Sequence, residues 1–392
     1  MMSTATSSDI IAAVQSVIGD APRPVSLHEP YFAGNESAYV QSCIDEGWVS
    51  SVGAFVDRFE KDIASYCGAK HAVVVVNGTC ALHVALVALG VQPGEEVLIP
   101  SLTFVATANA VSHAGALAHF VEVEEISLGI DPVKLRAYLQ RIATMQNGRA
   151  VNKQTGRVIA ALLPVHIFGH PCQMEALREV AEEWHLAVIE DATEALGSIA
   201  QGKPVGHEGA GVFSFNGNKI ITTGGGGAIV MQDEALYRRI KHLTTTAKQP
   251  HKWAFSHNEV AWNYRMPNLN AAMGCAQLEQ LPGFIAAKRG LASRYMEAFK
   301  GIQGMRILPE PELTKSNYWL VTLIADKADK TWLEYTLQGF HDAGVLCRPI
   351  WTPLHQLPMY QSSPRADLAL TEQLAQRIIN LPSSVKLGLT HA

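Results

Sequence analysis

The chain has 392 residues, 48% of them hydrophobic, and a formal net charge of −5 at pH 7. A chain of this length and apolar content can bury a large core, which excludes a disordered tail or a fibre. The near-balanced charge, with no basic block interleaved with aromatic residues, argues against nucleic acid as a partner. The six cysteines form no C-x-x-C pair, so we expect reduced, mostly buried thiols in a cytoplasmic protein.

The N-terminus offers no targeting or membrane signal. Met1 to Ser8 lacks basic residues, and the apolar stretch 10–18 is short and interrupted by Gln15. A secretory signal needs a basic first region, and a membrane helix needs about 20 predominantly apolar residues. We therefore expect no contact with a membrane.

Strand and helix patterns alternate through the first two thirds of the chain. Apolar runs rich in β-branched residues predict strands, and amphipathic periodicity predicts the helices between them. In chain order we predict helices over 35–46 and 56–67, a strand over 71–76, a helix over 81–89, a strand over 96–100, a helix over 107–113, strands over 118–123 and 158–165, a helix over 174–184, and strands over 186–191 and 210–213. The segment 144–155 has loop composition, which predicts a surface excursion.

The pattern changes after the threonines at 244–246. We predict helices over 269–281, 283–300 and 331–343, short strands within 318–324, and a Pro-rich segment over 349–358. The predicted domains are an N-terminal extension over 1–25, a large domain over 26–258 and a smaller C-terminal α+β domain over 259–392. Strands that are apolar throughout indicate a sheet covered by helices on both faces, which predicts an α/β fold with a mostly parallel sheet.

Residues suited to contact a ligand follow the ends of five predicted strands. They are Gly78-Thr79, Thr103-Phe104, His166, Asp191 and Lys219. Ligands of open α/β sheets bind at the carboxyl ends of the strands. The coincidence of these residues predicts a binding site at that edge.

Lys219 lies between an apolar strand and four consecutive glycines, Gly224 to Gly227. An ammonium removed from water at such a place loses its proton readily, and a neutral amine is what a Schiff-base lysine requires. A solvated turn lysine followed by a mobile glycine loop fits the same segment. The glycine run opens no helix after the first strand, so it is no dinucleotide fingerprint.

Three other strand ends carry candidate ligand contacts. Asn77-Gly78-Thr79 offers backbone N–H groups and a hydroxyl at a helix start, which suits a phosphate, although turn and capping chemistry explains it as well. Phe104 is suited to stack on a planar ring or to pack in the core. Asp191 ends a buried strand and must have a cationic or donor partner, from a ligand or a structural arginine.

His166 and His170 are four residues apart, but Phe168-Gly169 intervenes and Pro171 follows. The pair therefore lies on a strand end and a turn rather than on a helix, and we predict no metal site. A stacking or hydrogen-bonding role for His166 is the better hypothesis.

Five ordered motifs resemble one known family, the DegT/DnrJ/EryC1/StrS nucleotide-sugar aminotransferases. They are Asn77-Gly78-Thr79, Pro164-Val165-His166-Ile167-Phe168-Gly169, Asp191 within Glu-Asp-Ala-Thr-Glu, Lys219 within Ser-Phe-Asn-Gly-Asn-Lys with its glycine run, and Asn263-Tyr264-Arg265-Met266. The segments 48–53 and 217–227 look most like the LegC-type branch.

The resemblance implies a pyridoxal phosphate enzyme of fold type I, similar to aspartate aminotransferase, that works as a homodimer with shared active sites. It implies that Lys219 binds the cofactor aldehyde as a Schiff base, and that Asp191 pairs with the pyridine nitrogen. The other implied cofactor contacts are Asn77, Gly78, Thr79 and Ser214 at the phosphate, Phe104 on the ring, His166, Asn263 from the neighbouring subunit, and Glu194 near the phenolic oxygen. Many relatives have Gln at this last position, and an anionic Glu194 would repel that oxygen.

The activity implied is transfer of an amino group from L-glutamate to C4 of a nucleotide-linked 4-keto-6-deoxy-N-acetylhexosamine. The UDP-linked product would feed nonulosonic acid, such as legionaminic acid, or surface glycan synthesis. Candidate substrate contacts are Trp48, Ser51, Gly53 and Arg265. A dehydratase of the same fold is a second hypothesis, although such relatives carry His at the lysine position. A non-catalytic protein that binds the cofactor or a nucleotide sugar is a third.

Overall fold

The computed structural model describes residues 6–327 and 329–389. In it the strand β1 (His71–Val75), apolar after its first residue, is covered on both faces. Val73 and Val75 pack into one hydrophobic cluster, whereas Ala72 and Val74 pack into another. Successive side chains of a strand point to opposite faces of the sheet. Both faces are therefore buried, as the sequence predicted.

The helices and strands of the first two thirds follow the predicted order, with ends shifted by a few residues. The helices are α1 (Ser7–Ile18), α2 (Glu36–Asp45), α3 (Ala54–Tyr66), α4 (Gly78–Ala88), α5 (Ala106–His113), α6 (Pro132–Ile142), α7 (Met174–Glu183), α8 (Glu234–Thr244), α9 (Asn268–Phe299), α10 (Lys330–Asp342), α11 (Ala369–Ala375) and α12 (Val385–Leu389). After β1 the strands are β2 (Glu96–Pro100), β3 (Leu117–Val121), β4 (Ala143–Gln146), β5 (Arg149–Asn152), β6 (Val158–Leu162), β7 (Ala187–Asp191), β8 (Ile199–Ala200), β9 (Lys203–Pro204), β10 (Ala210–Ser214), β11 (Gly227–Met231), β12 (Met305–Ile307), β13 (Thr314–Lys315), β14 (Val321–Ala325), β15 (Arg348–Pro349) and β16 (Ile378–Leu381).

The large sheet has the order β1-β11-β10-β7-β6-β2-β3, with β5 also paired to β6 and β4 to β5. The strands from β10 to β3 in this order are parallel, and β11 is antiparallel to both of its neighbours. Parallel strands end at the same edge, so the segments after β2, β7 and β10 meet there. The predicted α/β fold of type I is confirmed.

The prediction of a loop over 144–155 is wrong. The segment 144–155 is largely a hairpin, β4 and β5, whose turn uses the positive φ angles of Asn147 and Gly148; an Asn-Gly pair favours this turn. A strand that was not predicted, β11, follows the glycines and lies between β1 and β10.

The two helices predicted on either side of Pro282 are one continuous helix, α9, of 32 residues. Its first half, including Cys275, packs under the large sheet, and its second half, including Tyr295, packs with α1 and α10. Proline removes a helical hydrogen bond, but burial on both sides of Pro282 holds the helix together. The second half supports the antiparallel sheet β12-β14-β16-β15. Within residues 6–327 and 329–389, no helix is long and apolar enough to cross a membrane.

Candidate active site

The carboxyl ends of the parallel strands open onto a cavity of about 430 Å³, a size suited to a small organic ligand. Its walls come from the ends of β1, β2, β7 and β10 and from the C-terminal third of the chain. Eight of the predicted site residues line it: Asn77, Gly78, Thr79, Phe104, Asp191, Glu194, Ser214 and Lys219.

One end of the cavity is the N-terminus of α4. Asn77 caps this helix, since its side-chain oxygen accepts a hydrogen bond from Cys80 N at 2.8 Å. The first N–H groups of a helix have no acceptor within it, so those of Gly78 and Thr79 are available to an anion. Ser214 lies against Gly78 at this end of the cavity. A Cβ added to Gly78 would come within 3.0 Å of the Ser214 Cβ. A glycine at position 78 therefore leaves room beside the serine hydroxyl.

Asp191 ends β7 with 2% of its surface exposed. Its Oδ2 accepts a hydrogen bond from the Thr107 hydroxyl at 2.8 Å, and its Oδ1 accepts one from the Thr193 hydroxyl at 2.7 Å. No described lysine or arginine forms an ion pair with it, which disfavours the structural-arginine alternative. A buried carboxylate without a cation is costly, so Asp191 is suited to a cationic group of a ligand.

Lys219 follows β10 through a turn in which its N–H donates to Asn216 O at 2.9 Å. Its side chain is 12% exposed, so it is not a solvated turn lysine. The Nζ atom lies 3.3 Å from Glu194 Oε1 and 3.8 Å from the centre of the Trp319 ring. The Trp319 indole is held in turn by donation from its Nε1 to Asn218 O at 2.7 Å. The amine therefore has a fixed position in the cavity wall.

Glu194 is buried beside Lys219, and its second oxygen, Oε2, accepts a hydrogen bond from Phe168 N at 2.8 Å. Burial raises the pKa of the Glu194 carboxyl, and the charge of Lys219 opposes that rise. Phe168 has a φ of 55°, in the left-handed region that a bulky residue seldom adopts. This backbone geometry directs its N–H toward the carboxylate.

Phe104 is not a core residue, because 49% of its surface is exposed in the wall of the cavity. Its ring lies at a tilt 5.8 Å from that of Trp351, which itself stacks on Phe168 at 5.3 Å. An exposed, supported aromatic face can stack on a planar ligand.

A protein-family model described as the DegT/DnrJ/EryC1/StrS aminotransferase family matches residues 30–392. The chain belongs to this family. It is 37% identical to a GDP-perosamine synthase of Caulobacter vibrioides over 96% of each chain. It is 38% identical to a GDP-perosamine synthase of Vibrio cholerae over 92% of this chain and 94% of that protein.

Solved structures agree with this assignment. The S. venezuelae protein DesV, crystallised with a ketimine intermediate, is 29% identical over 90% of each chain with a TM-score of 0.79. DesI, crystallised with its TDP-sugar product, is 27% identical over 94% of this chain and 91% of that one, with a TM-score of 0.78. The predicted family and its pyridoxal phosphate dependence are confirmed.

The residues of this aminotransferase fit pyridoxal phosphate. The start of α4 with Ser214 suits the phosphate, the Phe104 face suits the ring, and the carboxylate of Asp191 lacks the cation that a protonated ring nitrogen would supply. The buried amine of Lys219 suits the aldehyde.

Six predicted contacts lie outside the lining of the cavity: Trp48, Ser51, Gly53, His166, Asn263 and Arg265. The ring of His166 is fully buried, and both of its nitrogens already have partners in the protein. Its Nδ1 accepts a hydrogen bond from Cys172 N at 3.0 Å, and its Nε2 donates one to Glu190 at 3.1 Å. The ring does not line the cavity, so the geometry does not support the predicted contact between His166 and the cofactor. Arg265 donates from Nε to Asn263 Oδ1 at 3.0 Å.

The cavity wall also contains residues that the sequence did not predict, among them five with polar or aromatic side chains: His28, Thr107, Trp319, Arg348 and Trp351. Three of them come from the C-terminal third, where no motif followed a predicted strand end. Only the Pro-rich composition around 349–358 marked that region as irregular, and irregular segments often carry binding residues.

Proposed function

We propose that this aminotransferase moves an amino group from an amino acid to the C4 keto group of a nucleotide-linked 6-deoxysugar. The observation that carries the proposal is the meeting of the Lys219 amine and the Asp191 carboxylate in one cavity, in a chain whose relatives include sugar-nucleotide enzymes.

Pyridoxal phosphate supplies an electron sink when it is bound. In the proposed site Asp191 keeps the pyridine nitrogen protonated, because its two threonine partners leave its charge uncompensated. The Lys219 amine would move a proton to and from the donor Cα as general base and acid. The Phe104 face and the N–H groups of Gly78 and Thr79 orient the ring and the phosphate.

The proposed assembly is a homodimer with shared active sites. Asn263 is exposed and lies outside the lining of its own chain's cavity. We place its side chain at the cofactor phosphate of the neighbouring subunit.

The acceptor we favour is a GDP-linked 4-keto-6-deoxyhexose. Three relatives at 36–38% identity, each covering at least 92% of this chain, are named GDP-perosamine synthases, and perosamine is a 4-amino-4,6-dideoxyhexose. The UDP-linked N-acetylhexosamine analogue is the second candidate, supported by the resemblance of segments 48–53 and 217–227 to the LegC-type branch. The proposed contacts for the nucleotide of either acceptor are Trp48, Ser51 and Gly53.

The proposed donor is L-glutamate, and Arg348 is a better anchor for its carboxylate than Arg265. Arg348 lines the cavity, and no described side chain forms an ion pair or hydrogen bond with its guanidinium. A free guanidinium fork binds a carboxylate in bidentate geometry. The Arg265 side chain is already in contact with Asn263 and lies outside the cavity.

The test has two stages. Purified holoenzyme is first mixed with glutamate, and a change in cofactor absorption with release of 2-oxoglutarate supports amino transfer. GDP- and UDP-linked 4-keto-6-deoxysugars are then offered, and the products are identified by NMR. An unchanged spectrum with every donor would favour a binding protein, and loss of water without gain of nitrogen would favour a dehydratase. Lys219→Ala should abolish both stages.

A further inference from the structure

A proton must leave the Lys219 ammonium before the amine can act as a nucleophile or a base. The cavity wall contains one group placed to receive it. Glu194 Oε1 lies 3.3 Å from the Nζ atom, and both side chains are almost fully removed from water, with 12% of the lysine and 4% of the glutamate exposed. Water is therefore a poor competitor for this proton.

Some surroundings of the pair stabilise the ammonium and carboxylate, and others stabilise the neutral amine and carboxylic acid. The Trp319 face, 3.8 Å from Nζ, favours the ammonium, and the hydrogen bond from Phe168 N at 2.8 Å favours the carboxylate. Burial and the nearby charge of Asp191 favour the protonated acid and raise the pKa of Glu194. Burial therefore brings the neutral form of the pair closer in free energy to the charged form than it is for the same two groups in water.

We propose that Glu194 is the proton partner of Lys219, taking the proton that the amine must lose and returning it when the amine must be charged. The N–H bond of the ammonium breaks as an O–H bond forms on Glu194 Oε1, and an ammonium and a carboxylate become an amine and a carboxylic acid. The net charge of the cavity does not change, so the amine becomes reactive without releasing a proton to solvent. This role rests on the proposed aminotransferase activity.

The charged and titratable groups that face the pair are few. Asp191 faces Glu194 from the end of β7, and His28, whose ring packs against Trp319 at 6.4 Å, faces Lys219. Burial holds the pKa of His28 well below its usual range, so it is neutral at physiological pH. Arg348 lies farther out in the wall of the same cavity. Glu194 is therefore the proton acceptor in direct contact with the amine.

The test is the pH dependence of the reverse half-reaction, in which holoenzyme loaded with pyridoxamine phosphate, where Lys219 is a free side chain, reacts with 2-oxoglutarate and is followed by stopped-flow absorption. Glu194→Gln preserves shape and hydrogen bonding but cannot take a proton, so its amine must release the proton to solvent. As the pH falls below the pKa of the Lys219 amine, we expect the ratio of the variant rate to the wild-type rate to fall by about tenfold per pH unit. An unchanged ratio across pH would overturn the proposal.

Glu60→Gln is the matched control. Glu60 is another carboxylate paired with a lysine, Lys241, at 2.6 and 2.8 Å, and it lies outside the active-site cavity. Its removal should leave the pH profile of the half-reaction as in wild type.

A second measurement does not depend on turnover. The infrared difference spectrum between the two cofactor forms of the holoenzyme should contain the carbonyl stretch of a protonated carboxyl, absent in Glu194→Gln and present in Glu60→Gln. A band that survives in Glu194→Gln would refute the assignment. If the proposed activity itself is wrong, wild-type enzyme will not react with any donor, an outcome distinct from either of these.

Discussion

Lys288 is a lysine buried in the interior of α9, with 1% of its surface exposed. Its Nζ donates hydrogen bonds to Trp319 O at 3.1 Å and to Ser383 O. No described carboxylate forms an ion pair with it. Burial lowers the pKa of Lys288 well below its usual value of 10.5, because nothing compensates the charge that the ammonium would carry.

The sign of the stability effect follows from the protons bound in each state. Between the lowered pKa of the folded state and the ordinary pKa, the unfolded chain binds one proton more at this lysine than the folded protein does. Folding therefore becomes more favourable as pH rises through this window, by about 1.4 kcal/mol per pH unit. Lys288→Met fills the same space without a titrating group and should remove that slope.

The assay is urea unfolding of holoenzyme at saturating cofactor, followed by tryptophan fluorescence between about pH 8 and 9.5, below the ordinary lysine pKa. Over this range the difference in free energy of unfolding between wild type and Lys288→Met should change by about 2 kcal/mol, in favour of wild type at the higher pH. Comparing the two proteins cancels the pH dependence of all other groups. Lys300→Met, at a lysine whose side chain is 75% exposed, should follow wild type. A constant difference across the range would show that Lys288 is charged in the folded protein.

Three further predictions concern the active site and its surroundings. Arg348→Ala should raise the KM for glutamate by about 10- to 100-fold through loss of a charged hydrogen bond, whereas Arg306→Ala, at an arginine outside the cavity, should not. Equal KM values for wild type and Arg348→Ala in steady-state kinetics would contradict the proposed anchor. Gly53→Ala places a Cβ 2.4 Å from the side chain of Asn268 and should destabilise the protein by about 1–3 kcal/mol in urea unfolding; an unchanged midpoint would mean that the segment adjusts freely. Asp191→Asn keeps the shape but loses the charge, so the half-reaction with glutamate should slow by about 100-fold or more, and a rate within severalfold of wild type would remove Asp191 from the mechanism.

The strand-end residues were predictable because parallel strands share one edge. Once β7 and β10 were identified from their apolar runs, Asp191 and Lys219 had to lie near one another, and both line the same cavity. The capping chemistry of Asn77 was equally local, since it depends on residues three positions apart.

The sequence by itself determined the α/β class, the strand-end residues and the family, because each depends on periodicity or on short ordered motifs. Only the tertiary structure decided what surrounds the Lys219 amine. Trp319 lies 100 positions farther along the chain and reaches the amine through the packing of the C-terminal third, with its carbonyl held by Lys288. Contacts between residues so far apart depend on the relative placement of whole elements, which no local pattern of side chains encodes.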